Sequence, residues 1–182
     1  DVEVGDAVRV DGEVESHRGD VQVESEGLVL LEGEEAEAVR RRLAEALTAE
    51  ARPEGLQPLA GDEAVAALAD GLLDAAEAIR RAVLESRPIV VRHPATADGY
   101  IAGAAVERAV LPLIREEHAK SDAAYHYFTR RPLDDPVYGM NAATNDATRM
   151  LQDRDRPDEQ LPLFPLVGTG ATVEAADRLD LL

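Results

Sequence analysis

The stretch PIVVRHPATADGY, Pro88 to Tyr100, followed by IAGAAVER, Ile101 to Arg108, decides the fold. Ile89, Val90 and Val91 form a short apolar run bounded by turn signals, which reads as a strand buried on both faces. Arg92 to Gly99 reads as a loop. The small residues Ala102 to Ala105 then open a helix that continues toward His118. Pro112 is expected to kink or end that helix. The same order recurs downstream. Leu161 to Val167 is a second apolar strand, despite Pro162 and Pro165. Gly168-Thr169-Gly170 is a turn, and a short helix starts near Thr172. Repeated strand–loop–helix units argue for an α/β fold with an open sheet. The strands at 88–92 and 162–167 are then parallel neighbours or near neighbours, with their carboxyl ends on one edge. Between these units, residues 123–129 read as a strand with Tyr125 and Tyr127 on one face, and 141–152 as a weak helix.

Upstream, the pattern changes. Val8 and Val10 alternate with charged residues, as do Val21 and Val23 beyond the turn His17 to Asp20. This predicts a β-hairpin within residues 2–31. A lone hairpin is marginal in water, so it belongs to a larger β unit or leans on the segment after it. Ala36, Val39, Leu43, Ala46 and Leu47 share one stripe and predict a helix over 34–50. Pro53, Gly55, Pro58 and Gly61 mark a linker. Asp62 is a candidate N-cap for a second helix, which runs to about Glu85 with Val65, Leu68, Leu72, Ile79 and Val83 at helical spacing.

Composition narrows the setting. Asp and Glu number 37 against 19 Lys plus Arg, for a net charge of -18, and Lys120 is the only lysine. Such a surface repels itself in dilute buffer, a cost that molar salt removes. The composition is therefore read as that of a halophilic archaeal protein, the plainer alternative being an acidic bacterial protein from a GC-rich genome. With 45% hydrophobic residues but only 3% aromatic, the core must come from Ala, Val, Leu and Ile. The absence of cysteine excludes disulfides and thiolate metal sites. No apolar run reaches membrane-spanning length, and no signal peptide is visible, so the expected location is the cytoplasm. The chain starts at Asp1 rather than Met, which leads to the expectation of an excised piece or an incomplete translation product.

The stretch from Pro88 to Arg108 resembles the first motif of the DHH-family phosphoesterases, in particular the archaeal RecJ-like proteins. There a buried strand ends in a His-rich loop, followed by Asp-x-Asp-Gly and a small-residue helix. The flanks agree: Arg80 to Leu84 upstream, Glu107-Arg108-Ala109 downstream, and Leu161 to Val167 where the family carries its second acidic motif. The N-terminal strands are similar to the closing part of the OB-fold that precedes the DHH domain in haloarchaeal members. The resemblance implies a partial doubly wound parallel sheet. Its expected boundaries are a partial OB-like β segment at 1–33, a helical connector at 34–86 and the first part of a DHH-like domain at 87–182. It also implies single-strand-specific exonuclease chemistry at two Mn2+ (or Mg2+) ions, single-stranded nucleic acid as partner, and a replication or repair protein as a further one.

Two-metal hydrolysis needs hard oxygen ligands gathered at a sheet edge. Here the first Asp of the motif is replaced by Thr96, the second survives as Asp98, and His93 matches a family histidine. Gly168 stands where the second strand should carry Asp, and no Asp-His-His triplet occurs. The resemblance thus leaves Asp98 and His93 as metal ligands and no residue assigned to catalysis, with metal bound weakly. Gly168, Thr169 and Gly170 could cradle a phosphate on backbone N–H groups.

Plainer readings stand beside these. Asp98-Gly99 can be a helix N-cap, His93 a satisfied histidine at a strand end, and Gly168 to Gly170 an ordinary turn. Tyr125 and Tyr127 are a base-stacking platform or core residues. Arg40 to Arg42 read as a solvated helix face. Three functional classes emerge: an impaired RecJ-like nuclease piece, a non-enzymatic paralogue that binds nucleic acid or a partner, and a decayed gene product.

Overall fold

A computed structural model describes residues 2–3, 5–17, 20–58, 61–153 and 160–170. The chain divides into two compact units, Asp1–Ala49 and Glu50–Leu182.

In the first unit, strands β1 (Val8–His17) and β2 (Asp20–Leu30) form the expected antiparallel hairpin. The apolar residues of β2 change parity along the strand, from Val21 and Val23 to Leu28 and Leu30. Period-two alternation would put these pairs on opposite faces. A bulge between Asp11 and Gly12 corrects this, since Asp11 pairs with Gly27 and Gly12 with Ser25. Val8, Val10 and Val14 therefore share one face with all four. Gly12 has no substitute there, because a Cβ would lie 2.1 Å from the Glu24 carbonyl oxygen. Helix α1 (Gly33–Ala51) comes next, close to the expected span.

In the second unit, Arg80 donates from Nε to the Ala51 carbonyl at 2.8 Å and from Nη2 to that of Glu50 at 2.9 Å. These bonds satisfy carbonyls that the end of α1 leaves without helical partners. Arg52 binds Asp74 and Glu77 at 2.5 and 2.7 Å. Asp62 caps its helix as expected, accepting from the Ala64 amide at 2.7 Å. The helix does not run unbroken to Glu85. It divides at Leu68 into α2 (Glu63–Ala67) and α3 (Ala69–Leu84), with a tightened bond from the Leu68 amide to the Val65 carbonyl. None of α2's residues is buried, so packing does not hold it to one continuous axis.

Strand β3 (Ile89–Pro94) is buried at every position, as a strand flanked on both edges should be. It pairs in parallel with β4 (Phe128–Leu133) from Ile89↔Phe128 to Pro94↔Leu133. On its other edge lies the 161–167 segment, also parallel, bridged at Ile89↔Leu163 and Arg92↔Leu166. The expected parallel relation of these two segments therefore holds. The pairing is interrupted rather than continuous. Leu163 and Val167 donate to the Pro88 and Arg92 carbonyls, while Pro165, midway between them, has no N–H to donate. Against one face pack α3 and α4 (Ala97–Glu117), which bury Ala82, Val83, Val110 and Ile114 on Ile89 and Val91.

Two local expectations are corrected. Pro112 does not end α4, which runs through it to Glu117. Val110 and Ile114 on either side are anchored in the core, and Pro112 itself is exposed, so water can serve the carbonyl left without a donor. Residues 123–127 are the one-turn helix α5 (Ala123–Tyr127), and the strand begins only at Phe128. The two tyrosines imitate strand alternation, but only Ala123 of that turn is buried. Helix α6 (Met140–Asp153) appears where a weak one was expected. The short helix expected from Thr172 lies outside the described residues.

Candidate functional site

In an open parallel sheet, ligands bind beyond the carboxyl ends of the strands. Here that edge is formed by Pro94, Leu133 and Val167. The Ala95 amide donates to the Leu133 carbonyl at 3.2 Å, and a Cβ on Gly168 would sit 3.7 Å from Pro94 Cδ. The loop after β3 and the 168–170 turn are therefore adjacent. The two positions where the resemblance calls for Asp, Thr96 and Gly168, belong to neighbouring segments of one edge.

The loop is built around close approaches. Thr96 is the N-cap of α4, and its Oγ1 accepts from the Gly99 amide at 3.2 Å. The capping role considered for Asp98 thus belongs to Thr96. Asp98 lies in the first turn and is exposed, where a carboxylate is favoured by the helix dipole. Gly99 must lack a side chain, since a Cβ would stand 2.1 Å from the Pro94 carbonyl oxygen.

His93 is fully buried. Its Nδ1 donates to the Pro94 carbonyl at 2.9 Å. Nε2 has no hydrogen-bond partner among the described residues. The ring packs edge-on to Tyr100, with centroids 5.0 Å apart, and against Gly103, where a Cβ would come within 2.6 Å of Cδ2. The small-residue helix start is thus the space His93 requires.

Asp98 and His93 occupy different environments, one at the surface and one under α4. Among the described residues, no group of three or more His, Asp or Glu side chains could hold a metal ion. The described residues do not fit a two-metal centre. Gly168 and Gly170 adopt positive φ, 70° and 85°. The Thr169 hydroxyl accepts from the Tyr138 amide at 2.9 Å and donates to the Pro136 carbonyl at 3.2 Å. Thr169 therefore ties this turn to the loop before α6. Arg40 to Arg42 are exposed, with Arg41 beside Glu45, in keeping with a solvated helix face.

A buried polar cluster carries no signature in the sequence motifs. Arg92 Nε lies 2.9 Å from Asp146 Oδ2, and Arg92 Nη1 donates to the Arg131 carbonyl at 2.9 Å. The Tyr138 hydroxyl donates to the same carboxylate oxygen at 3.1 Å. Burial, then the neighbouring carboxylate, hold the Tyr138 phenol well above its ordinary value. The cluster clamps α6 to β3. Removing one partner from such a buried pair typically costs about 3–5 kcal/mol, because it strands a charge. The one signal in the sequence is Arg92 itself, a cation inside an apolar strand. Its partner lies 54 positions away (146 − 92), on a helix with no marked motif.

No known family profile matches the chain. It is 39% identical over 175 residues to an uncharacterized protein of Methanocaldococcus jannaschii, a match covering 96% of this chain and 23% of that one. A solved structure described as the DHH domain of a member of a family of ribosomal proteins superposes with a TM-score of 0.75 at 38% identity. That match covers 82% of this chain and 35% of the other. The chain thus spans about a quarter of the length of the curated relative it matches. Among the described residues, no helix is long and apolar enough to cross a membrane. Parallel sheet, flanking helices and this neighbour together give the chain a DHH-like α/β fold.

Proposed function

We propose that the chain is part of a RecJ-like DHH-family phosphoesterase of the cytoplasm, directed at single-stranded nucleic acid. It carries the first, divergent portion of the active edge and does not hydrolyse phosphodiesters by itself. The observation that carries this reading is the adjacency of the Pro94–Asp98 loop and the Gly168 turn at the carboxyl edge of parallel strands. This edge is where a phosphoesterase of this kind would gather its metal ligands. With Thr96 and Gly168 in place of carboxylates, Asp98 is the one charged oxygen donor that the resemblance retains. A non-enzymatic role, binding nucleic acid or a replication or repair protein, is the second reading. The burial of His93 away from the exposed Asp98 favours it.

Manganese titration by calorimetry, alongside cleavage of labelled single strands at high KCl, tests the proposal. The unmodified chain should bind manganese weakly and release no product. The Thr96→Asp/Gly168→Asp double variant should bind it more tightly without gaining turnover. Manganese-dependent cleavage by the unmodified chain, abolished by Asp98→Ala, would overturn the proposal. So would a double variant with unchanged affinity.

A further inference from the structure

At the opposite, amino-terminal end of the sheet lies an open cleft of about 550 Å³. It is formed by the starts of β3 and β4, the 160–164 segment, α5 and the last turns of α6. Among the described residues, the charge of its lining is opposite to that of the chain. With 37 acidic residues in 182, a lining of this size would carry about three by chance. Among the described residues it carries none, and it holds Lys120, Arg131 and Arg149 instead. Neither Lys120 nor Arg149 forms an ion pair with a described residue. Among the described lining residues, the chain's only lysine therefore lies in a local concentration of positive charge.

The cleft also gathers aromatic rings in a chain that has few. Tyr125, Tyr127, Phe128 and Phe164 line it, four of the six Tyr and Phe residues in the sequence. Tyr125 is 83% exposed and lies T-shaped to His126, with ring centroids 5.6 Å apart. His126 is held at 3.2 Å by Asp122, outside the lining. Tyr127 stacks on His118 with centroids 4.1 Å apart. An exposed tyrosine beside cations offers a planar face for a base and positive charge for a phosphate. Neither feature serves the fold: burying Tyr125 contributes little, and clustered cations repel one another.

We infer that this cleft is a second, metal-independent site for a nucleotide unit, with the base stacked on Tyr125 and the phosphate between Lys120 and Arg149. The unit is a free nucleotide or one residue of a single strand. The lining of the site reaches along β4 to Arg131, which pairs with Arg92 two residues short of the carboxyl edge at Leu133. The site does not depend on the phosphoesterase reading.

The test uses the whole chain, without divalent metal, and two probes: AMP followed by NMR shifts, and fluorescein-labelled A6 followed by anisotropy. Lys120→Gln/Arg149→Gln should weaken binding about tenfold, and for A6 it should reduce the salt slope by about one. Tyr125→Ala should weaken it by a similar factor through lost stacking. Asp98→Ala should leave it unchanged. Binding of AMP with this dependence identifies a free-nucleotide site, and binding of A6 alone identifies a strand site. Both outcomes support the proposal, provided circular dichroism shows the variants folded. Failure of both probes to bind, binding lost on Asp98→Ala, or binding indifferent to both cleft variants would overturn it.

Discussion

At the scale of single residues, the carboxyl edge is governed by how closely backbone and side chains approach. Gly99 and Gly103 are fixed by the Pro94 carbonyl and the His93 ring, so the small-residue pattern records packing as much as chemistry. Tyr138 adds a measurable consequence of burial. Its folded-state value is raised, so the native protein holds the phenolic proton more tightly than the unfolded chain does. The resulting stabilisation is complete below about pH 10, the ordinary tyrosine value. It is lost as pH rises from there toward the folded-state value. Tyr138→Phe should flatten this alkaline decline while lowering stability at neutral pH by about 1 kcal/mol, the usual worth of one hydrogen bond. Urea midpoints for both proteins between pH 8 and 11 measure this, and parallel pH profiles would refute it.

At the scale of elements, tertiary burial overrides local propensity in both directions. Pro112 sits inside a 21-residue helix because Val110 and Ile114 hold their turns against the sheet. The proline still lacks a donor and crowds the preceding turn. Pro112→Ala should therefore stabilise the protein by about 1–3 kcal/mol, since the site is exposed and loses no core contact. Thermal unfolding followed by circular dichroism decides this, and a lowered midpoint would refute it. In α5, aromatic alternation reads as strand while the chain forms a helical turn, because the parallel register with β3 begins only at Phe128. The apolar face of the hairpin shows the converse, a regular pattern whose larger residues stay exposed: Val14 and Val21 are 71% and 75% accessible.

At the scale of the whole molecule, net charge dominates. With -18 spread over 182 residues, folding brings like charges together, and salt relieves the repulsion. The unfolding midpoint should rise steadily from dilute to molar KCl. A flat or falling midpoint would contradict the halophilic reading. The same field makes the cation-lined cleft stand out, because anions would be repelled from most other surfaces.

The sequence by itself determined the parts of the protein whose physics is local. The β3 apolar run, the hairpin alternation, the Asp62 cap and the strand–loop–helix order each depend on residues a few positions apart. Thr96 and Gly168 could be marked as departures from the motif for the same reason. Only the tertiary structure decided what depends on distant partners. It paired Asp146 with both Arg92 and Tyr138, separated His93 from Asp98 by burial, and carried Pro112 through a helix. It also assembled Lys120, Tyr125, Arg149 and Phe164 into one cleft from segments that show no common pattern. Long-range contacts are set by how elements pack, and no short window of residues encodes them.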